Sequence, residues 1–227
     1  MKMLNMRHGR TRKDGSRAVV PILREKTRKY GQIISEGALS VRRDVMVTGA
    51  HASGKSRWIG KYVEHGASIW PNNPIVVLRA VNPLMSWYDI PLLHNHVSRE
   101  KWKALTAYER SELLIEVVRI RQCVLLLDDA HKLTGRKADI ALRCAVAARV
   151  VVTTASDEVR IPITLRLALM GRKPQFVRLE SDAPYDITSI IVWLATLLSL
   201  GAGAWAIAAL LGGFNMLGRG ARASRNT

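Results

Sequence analysis

The stretch Val45-Met46-Val47-Thr48-Gly49-Ala50-His51-Ala52-Ser53-Gly54-Lys55-Ser56 decides how the rest of the chain is read. A short apolar run is followed by a glycine-bounded loop and then by a helical pattern. Residues 49–56 satisfy G-x-x-x-x-G-K-[S/T] at every position. The glycines let such a loop curl until its backbone N–H groups point inward at a phosphate, and the helix that follows adds the positive end of its dipole. Gly49, Ala50, His51, Ala52, Ser53, Gly54, Lys55 and Ser56 are therefore expected to cradle the phosphates of ATP. The Lys55 ammonium is expected to reach the β- and γ-phosphates, and the Ser56 hydroxyl to ligate Mg²⁺.

Outward from this loop, short apolar runs alternate with helical stretches. Strands are predicted at 45–48, 75–80, 124–128, 149–154 and 175–179, and helices at 55–65, 102–120, 138–148 and 163–170. Strands that are apolar at nearly every position belong in a parallel sheet covered on both faces, so the expected fold is three-layered α/β with five parallel strands.

Two of the strands end in polar residues. Cys123-Val124-Leu125-Leu126-Leu127-Asp128-Asp129-Ala130-His131 is an apolar run closed by two carboxylates. At a strand end beside the phosphate loop, Asp128 fits a role in holding Mg²⁺ through water. Asp129 fits that of the base that orients or polarises the attacking water. Val150-Val151-Val152-Thr153-Thr154 ends in two hydroxyls, and Thr153 or Thr154 is expected to reach the γ-phosphate or that water.

With these motifs the chain resembles the AAA+ and STAND branch of P-loop ATPases over residues 25–180. Leu125-Leu126-Leu127-Asp128-Asp129-Ala130-His131 is similar to the acidic motif of STAND ATPases, and Val151-Val152-Thr153-Thr154-Ala155-Ser156 to their sensor motif, with Ala155 where arginine is usual. The resemblance implies sheet order 5-1-4-3-2, ATP with Mg²⁺ and nucleotide-dependent homo-oligomers. It also implies an arginine supplied by a neighbouring subunit, for which Arg160, Arg166 and Arg172 are the candidates. Asp129 stands where many AAA+ members carry glutamate, which points to slow, switch-like turnover. The helical lid that usually follows the fifth strand is missing.

Charge and hydropathy set the remaining boundaries. The chain has 227 residues and a formal net charge of +17. Residues 1–43 hold twelve Lys or Arg against three acids, an excess of nine. This region is expected to be a basic arm, with a helix over 25–41, that attracts the phosphates of nucleic acid or of anionic lipid. The nucleotide-binding domain is expected over 44–181. Residues 187–211 carry no charge and are long enough for one transmembrane helix. A re-entrant hairpin to 217, broken at Gly201-Ala202-Gly203, is the alternative, and 218–227 is a basic tail. No secretory signal opens the chain, so the expected arrangement is a membrane anchor with the nucleotide-binding domain in the cytoplasm, at the inner membrane in a bacterium. Cys123 and Cys144 read as small buried hydrophobes. His51, His94 and His96 lack a third ligand at metal-binding spacing. Three functional classes follow: a membrane-anchored ATPase acting on DNA or in assembly for a mobile element or phage, a slow nucleotide switch in signalling or defence, and a nucleotide-binding scaffold that barely hydrolyses.

Overall fold

The computed structural model describes residues 2–11, 17–26, 32–50 and 53–179, with Leu194, Leu197 and Leu198. The chain divides into two units, Met1–Asp182 and Ala183–Thr227. The expected membrane segment at 187–211 lies outside the described residues except for those three leucines, which are exposed. Among the described residues no helix is long and apolar enough to cross a membrane.

The first unit opens with a three-stranded antiparallel sheet of β1 (Lys2–Thr11), β2 (Arg17–Lys26) and β3 (Ile33–Ala38), in the order β1-β2-β3. This corrects the expected arm and helix. Glu25 and Lys26 close β2, and β3 runs antiparallel to it with Glu36 opposite Arg24. The physical reason is that Tyr30, Ile33, Ile34 and Leu39 never form a continuous helical stripe, and Gly31 and Gly37 weaken a helix further. Strand pairing satisfies the same backbone groups, and the apolar residues Leu4, Met6, Val19 and Leu23 find a helix to cover.

The remaining elements are β4 (Val45–Gly49), α1 (Lys55–Ile69), β5 (Ile75–Arg79), the short helices α2 (Leu84–Tyr88), α3 (Pro91–His94) and α4 (Arg99–Ala104), and α5 (Ala107–Ile120). They continue with β6 (Val124–Asp128), a 3₁₀ turn (Ala130–Lys132), α6 (Gly135–Ala147), β7 (Val150–Ala155), α7 (Ile163–Gly171) and β8 (Gln175–Leu179). The five later strands form one parallel sheet in the order β5-β6-β7-β4-β8. Counted within this sheet alone, from its own first strand, the succession is 2-3-4-1-5, which from the opposite edge reads 5-1-4-3-2.

Side chains alternate between the two faces of that sheet. Leu125, Leu127 and Val151 pack with α2, α3, α5, α6 and α7. Val124, Leu126, Val150 and Val152 pack with Trp58, Ile59 and Tyr62 of α1 and with Leu4 and Val19 of the antiparallel sheet. The helix expected over 102–120 is broken at Leu105 and Thr106. Thr106 caps α5: its hydroxyl accepts the Glu109 N–H at 3.3 Å, and the Glu109 carboxylate accepts the Thr106 N–H at 2.7 Å.

Candidate functional site

Gly49 ends β4 against β8. A Cβ placed there would lie 2.7 Å from the carbonyl oxygen of Leu179 and 2.7 Å from Ser53 Oγ, so the chain can leave the strand here only as glycine. Gly54 caps the N-terminus of α1 with a left-handed φ of 86°. Among the described residues no side chain caps this end of the helix and no acid stands in its first turn, so the positive end of its dipole faces the loop. His51 and Ala52 lie outside the described residues.

The Lys55 ammonium is buried at the mouth of the loop. It donates to the carbonyl oxygens of Gly49 at 2.7 Å and Ala50 at 2.6 Å, and to Ser53 Oγ at 3.4 Å. Burial lowers its pKa from the ordinary lysine value, and the nearby charges of Asp129 and Asp128 pull it back up. The loop lysine and the acidic strand end therefore share one electrostatic environment, although β7 separates β4 from β6 in the sheet.

Asp128 and Thr154 end on the α1 side of the sheet by strand alternation, the side where Lys55 emerges. The Thr154 hydroxyl donates to Asp128 Oδ1 at 2.6 Å and accepts the backbone N–H of Asp129 at 2.9 Å. Thr153 points to the opposite face, where its buried hydroxyl has no partner among the described residues. The structure thus brings Thr154 to the acidic end and turns Thr153 away from it. Asp129 turns the chain with a left-handed φ of 58°, and its carboxylate accepts from the Lys132 ammonium at 2.7 Å.

Asp128 offers the donor that Mg²⁺ prefers. It is a buried carboxylate with a hydrogen bond to only one of its oxygens among the described residues. The Ser56 hydroxyl is exposed in the first turn of α1. Among the described residues, no group of three or more His, Cys, Asp or Glu side chains could hold a metal ion. One carboxylate and one hydroxyl fit a cation that takes its other ligands from phosphate and water.

Of the three candidate arginines, Arg160 is exposed, and Arg166 donates to the carbonyl of Val159 at 3.4 Å. Arg172 is committed elsewhere, which corrects its candidacy. It pairs with buried Asp44 and donates to the carbonyls of Ala148 and Arg149, both at 3.0 Å. Asp44 also accepts the Val151 N–H at 2.9 Å. This clasp sits at the N-terminal ends of β4 and β7, the end of the sheet opposite the loop at 49–56. Sequence reading missed it, and also missed the bond from the Ser156 N–H to His131 Nδ1 at 3.1 Å. A lone acid directly before an apolar strand was the available signal for Asp44. His131 lay inside the quoted acidic motif without a role.

No protein-family model matches the chain, and no curated protein matches it. Solved structures do. Cdc6p from Pyrobaculum aerophilum matches at 16% identity and a TM-score of 0.42, over 60% of this chain and 38% of that one. The Aeropyrum pernix ORC1 protein in complex with DNA matches at 15% and 0.43, over 63% and 40%. A STAND protein with a tetratricopeptide repeat sensor from Pyrococcus horikoshii matches at 14% and 0.36, over 74% and 25%. The chain spans two fifths or less of each of these proteins, and likeness at this level assigns it no activity.

Proposed function

We propose that the chain binds ATP with Mg²⁺ in the loop at 49–56 and hydrolyses it. The observation that carries this reading is the buried Lys55 ammonium, set in a glycine-shaped loop at an uncapped helix N-terminus and in the field of Asp128 and Asp129. In this reading the N–H groups of the loop and α1 receive the phosphates, and Lys55 exchanges its carbonyl partners for phosphate oxygens. Asp128 and Ser56 would hold Mg²⁺, which when bound neutralises charge developing on the phosphates. Asp129 would orient the attacking water, and Thr154 keeps the acidic end in place.

Turnover is proposed to be slow, as in the switch reading, because Asp129 is ion-paired to Lys132 and must release it before accepting a proton. The basic antiparallel sheet is proposed to contact nucleic acid or anionic lipid, and residues 187–211 to anchor the chain at a membrane with the ATPase unit in the cytoplasm. Self-association is proposed to complete the site with Arg160 or Arg166 of a neighbouring copy.

Titration with a fluorescent ATP analogue tests the site. Lys55→Ala removes several charge-assisted hydrogen bonds, each worth roughly 1.5–3 kcal/mol, so affinity should fall by about 10- to 100-fold or more. Asp129→Asn should bind within about threefold of wild type while its turnover drops by about 100-fold or more, as expected for a lost general base. Undiminished binding by Lys55→Ala would sink the assignment.

A further inference from the structure

His131 stands on the turn that follows the acidic strand end, half-buried, with Nδ1 accepting the Ser156 N–H at 3.1 Å. An accepting nitrogen carries no proton, so the neutral ring holds its hydrogen on Nε2. Ser156 is the first residue beyond β7 and opens the segment that carries exposed Arg160 to α7. Three hydrogen bonds therefore join the ends of β6 and β7. Two run through the Thr154 hydroxyl, to Asp128 and from Asp129. The third, from Ser156 to His131, is the one among the described residues that ties the 3₁₀ turn to the chain beyond β7.

This corner needs such ties. Asp129 sits in the left-handed region at φ 58°, a conformation that costs a non-glycine residue about 1 kcal/mol and persists where its surroundings fix it. Its carboxylate direction depends on that backbone turn. The Thr154 bonds hold the start of the turn, and the His131 bond holds its far side.

On the reading that residues 49–56 and Asp129 form an ATPase site, we infer that His131 is a positioning residue: by accepting the Ser156 N–H it locks the acidic turn against the exit of β7, and so fixes Asp129 and Arg160 relative to one another. The ring does this only when neutral, since a proton on Nδ1 would set two donors face to face. The charged groups around it are Asp129 and Lys132 on its own turn, Lys55 on α1 and Arg160 beyond β7. Burial lowers its pKa, Asp129 opposes that, and the three cations reinforce it, so the acceptor form is the one favoured at neutral pH.

The test compares the full-length wild type with His131→Asn and His131→Leu. The asparagine Oδ1 lies as many bonds from Cα as Nδ1 does and can accept the same hydrogen, whereas leucine fills similar space with no acceptor. Three quantities are measured: affinity for a fluorescent ATP analogue, ATP turnover, and hydrogen exchange at the Ser156 amide. The expected result for His131→Leu is affinity within about twofold of wild type, turnover lowered by about tenfold or more through misplacement of Asp129, and faster exchange at Ser156. His131→Asn should recover most of the turnover and protection, and its turnover should lose whatever dependence on acidic pH the imidazole confers. Wild-type turnover and protection in His131→Leu would overturn the inference, and so would a folded His131→Asn no better than His131→Leu. A wild-type chain that binds no nucleotide would overturn the ATPase reading instead, while Ser156 exchange would still decide whether the latch exists.

Discussion

Asp44 and His131 show how single polar side chains tie together the strands at the two ends of the parallel sheet. Asp44 is buried at the end away from the phosphate loop, where it accepts from the Val151 backbone and pairs with Arg172. Asp44→Ala would remove the carboxylate from the Arg172 pair and leave the Val151 N–H without its acceptor. The expected cost is about 2–4 kcal/mol, read as a lower urea midpoint at unchanged slope. Affinity for an ATP analogue should be largely spared, because the clasp lies at the opposite end of the strands from residues 49–56. A midpoint within experimental error of wild type would show that the clasp contributes nothing. His131 brings a pH dependence whose sign follows from its lowered pKa. The unfolded chain takes up a proton near the ordinary value of 6.5, while the native ring resists it until lower pH. Its contribution to stability is therefore complete above 6.5 and is lost as pH falls through the folded-state value. Between about pH 7.5 and about pH 5.5 the wild type should lose more of its urea midpoint than His131→Asn, which has no ring to titrate. Equal losses would show that the ring is not held neutral.

At the scale of elements, the antiparallel sheet is the part whose role changes most between sequence and structure. Leu4 is 1% exposed and packs in the same cluster as Trp58, Ile59 and Tyr62. The Lys61 ammonium donates to the Leu4 carbonyl, adding a polar tie between β1 and α1. Leu4→Ala should therefore destabilise the whole first unit by about 2–4 kcal/mol, as a cavity in a core does. A solvated tail would tolerate the same change without effect. Thermal unfolding of the variant decides between these, since a transition at the wild-type temperature would detach the sheet from the core. The short helices between β5 and α5 illustrate a different point. Pro83 and Pro91 precede or open α2 and α3, and the Thr106–Glu109 box restarts the chain as α5. Local capping chemistry, rather than hydrophobic periodicity, sets those boundaries.

At the scale of the whole molecule, the excess positive charge becomes a matter of geometry. Arg24 is paired with Glu36 at 3.0 Å, whereas Arg7 approaches Glu36 only at 3.9 Å and its side chain is 73% exposed. Arg17 is also exposed, on the strand next to Arg7. The full chain should bind a short DNA duplex or anionic vesicles with an affinity that falls steeply with salt. For duplex DNA the logarithmic slope is about 0.9 per phosphate neutralised. Arg7→Glu combined with Arg17→Glu should weaken binding by about tenfold or more and flatten that slope. Titrations with each probe across a salt series distinguish the two partners. Binding that ignores both salt and the double substitution would exclude the sheet as the contact.

The turn from β4 into α1, the acidic strand end and the five parallel strands were legible in the sequence because each is a local pattern. Gly49, Gly54 and Lys55 are fixed by spacing along a few residues, and a strand such as Val124–Asp128 is apolar at every position before its closing acid, whatever its neighbours. Strand alternation then decided what the sequence left open, the choice between Thr153 and Thr154, by sending one hydroxyl to each face. The antiparallel sheet, the Asp44–Arg172 clasp and the Ser156–His131 bond join residues that are far apart in the chain or separated by a strand end. Residues 33–38 carry too weak a helical stripe and too few apolar neighbours to declare themselves a strand. They become one because β2 supplies the hydrogen bonds, a partner that exists only once the chain has folded, while their own side chains stay exposed.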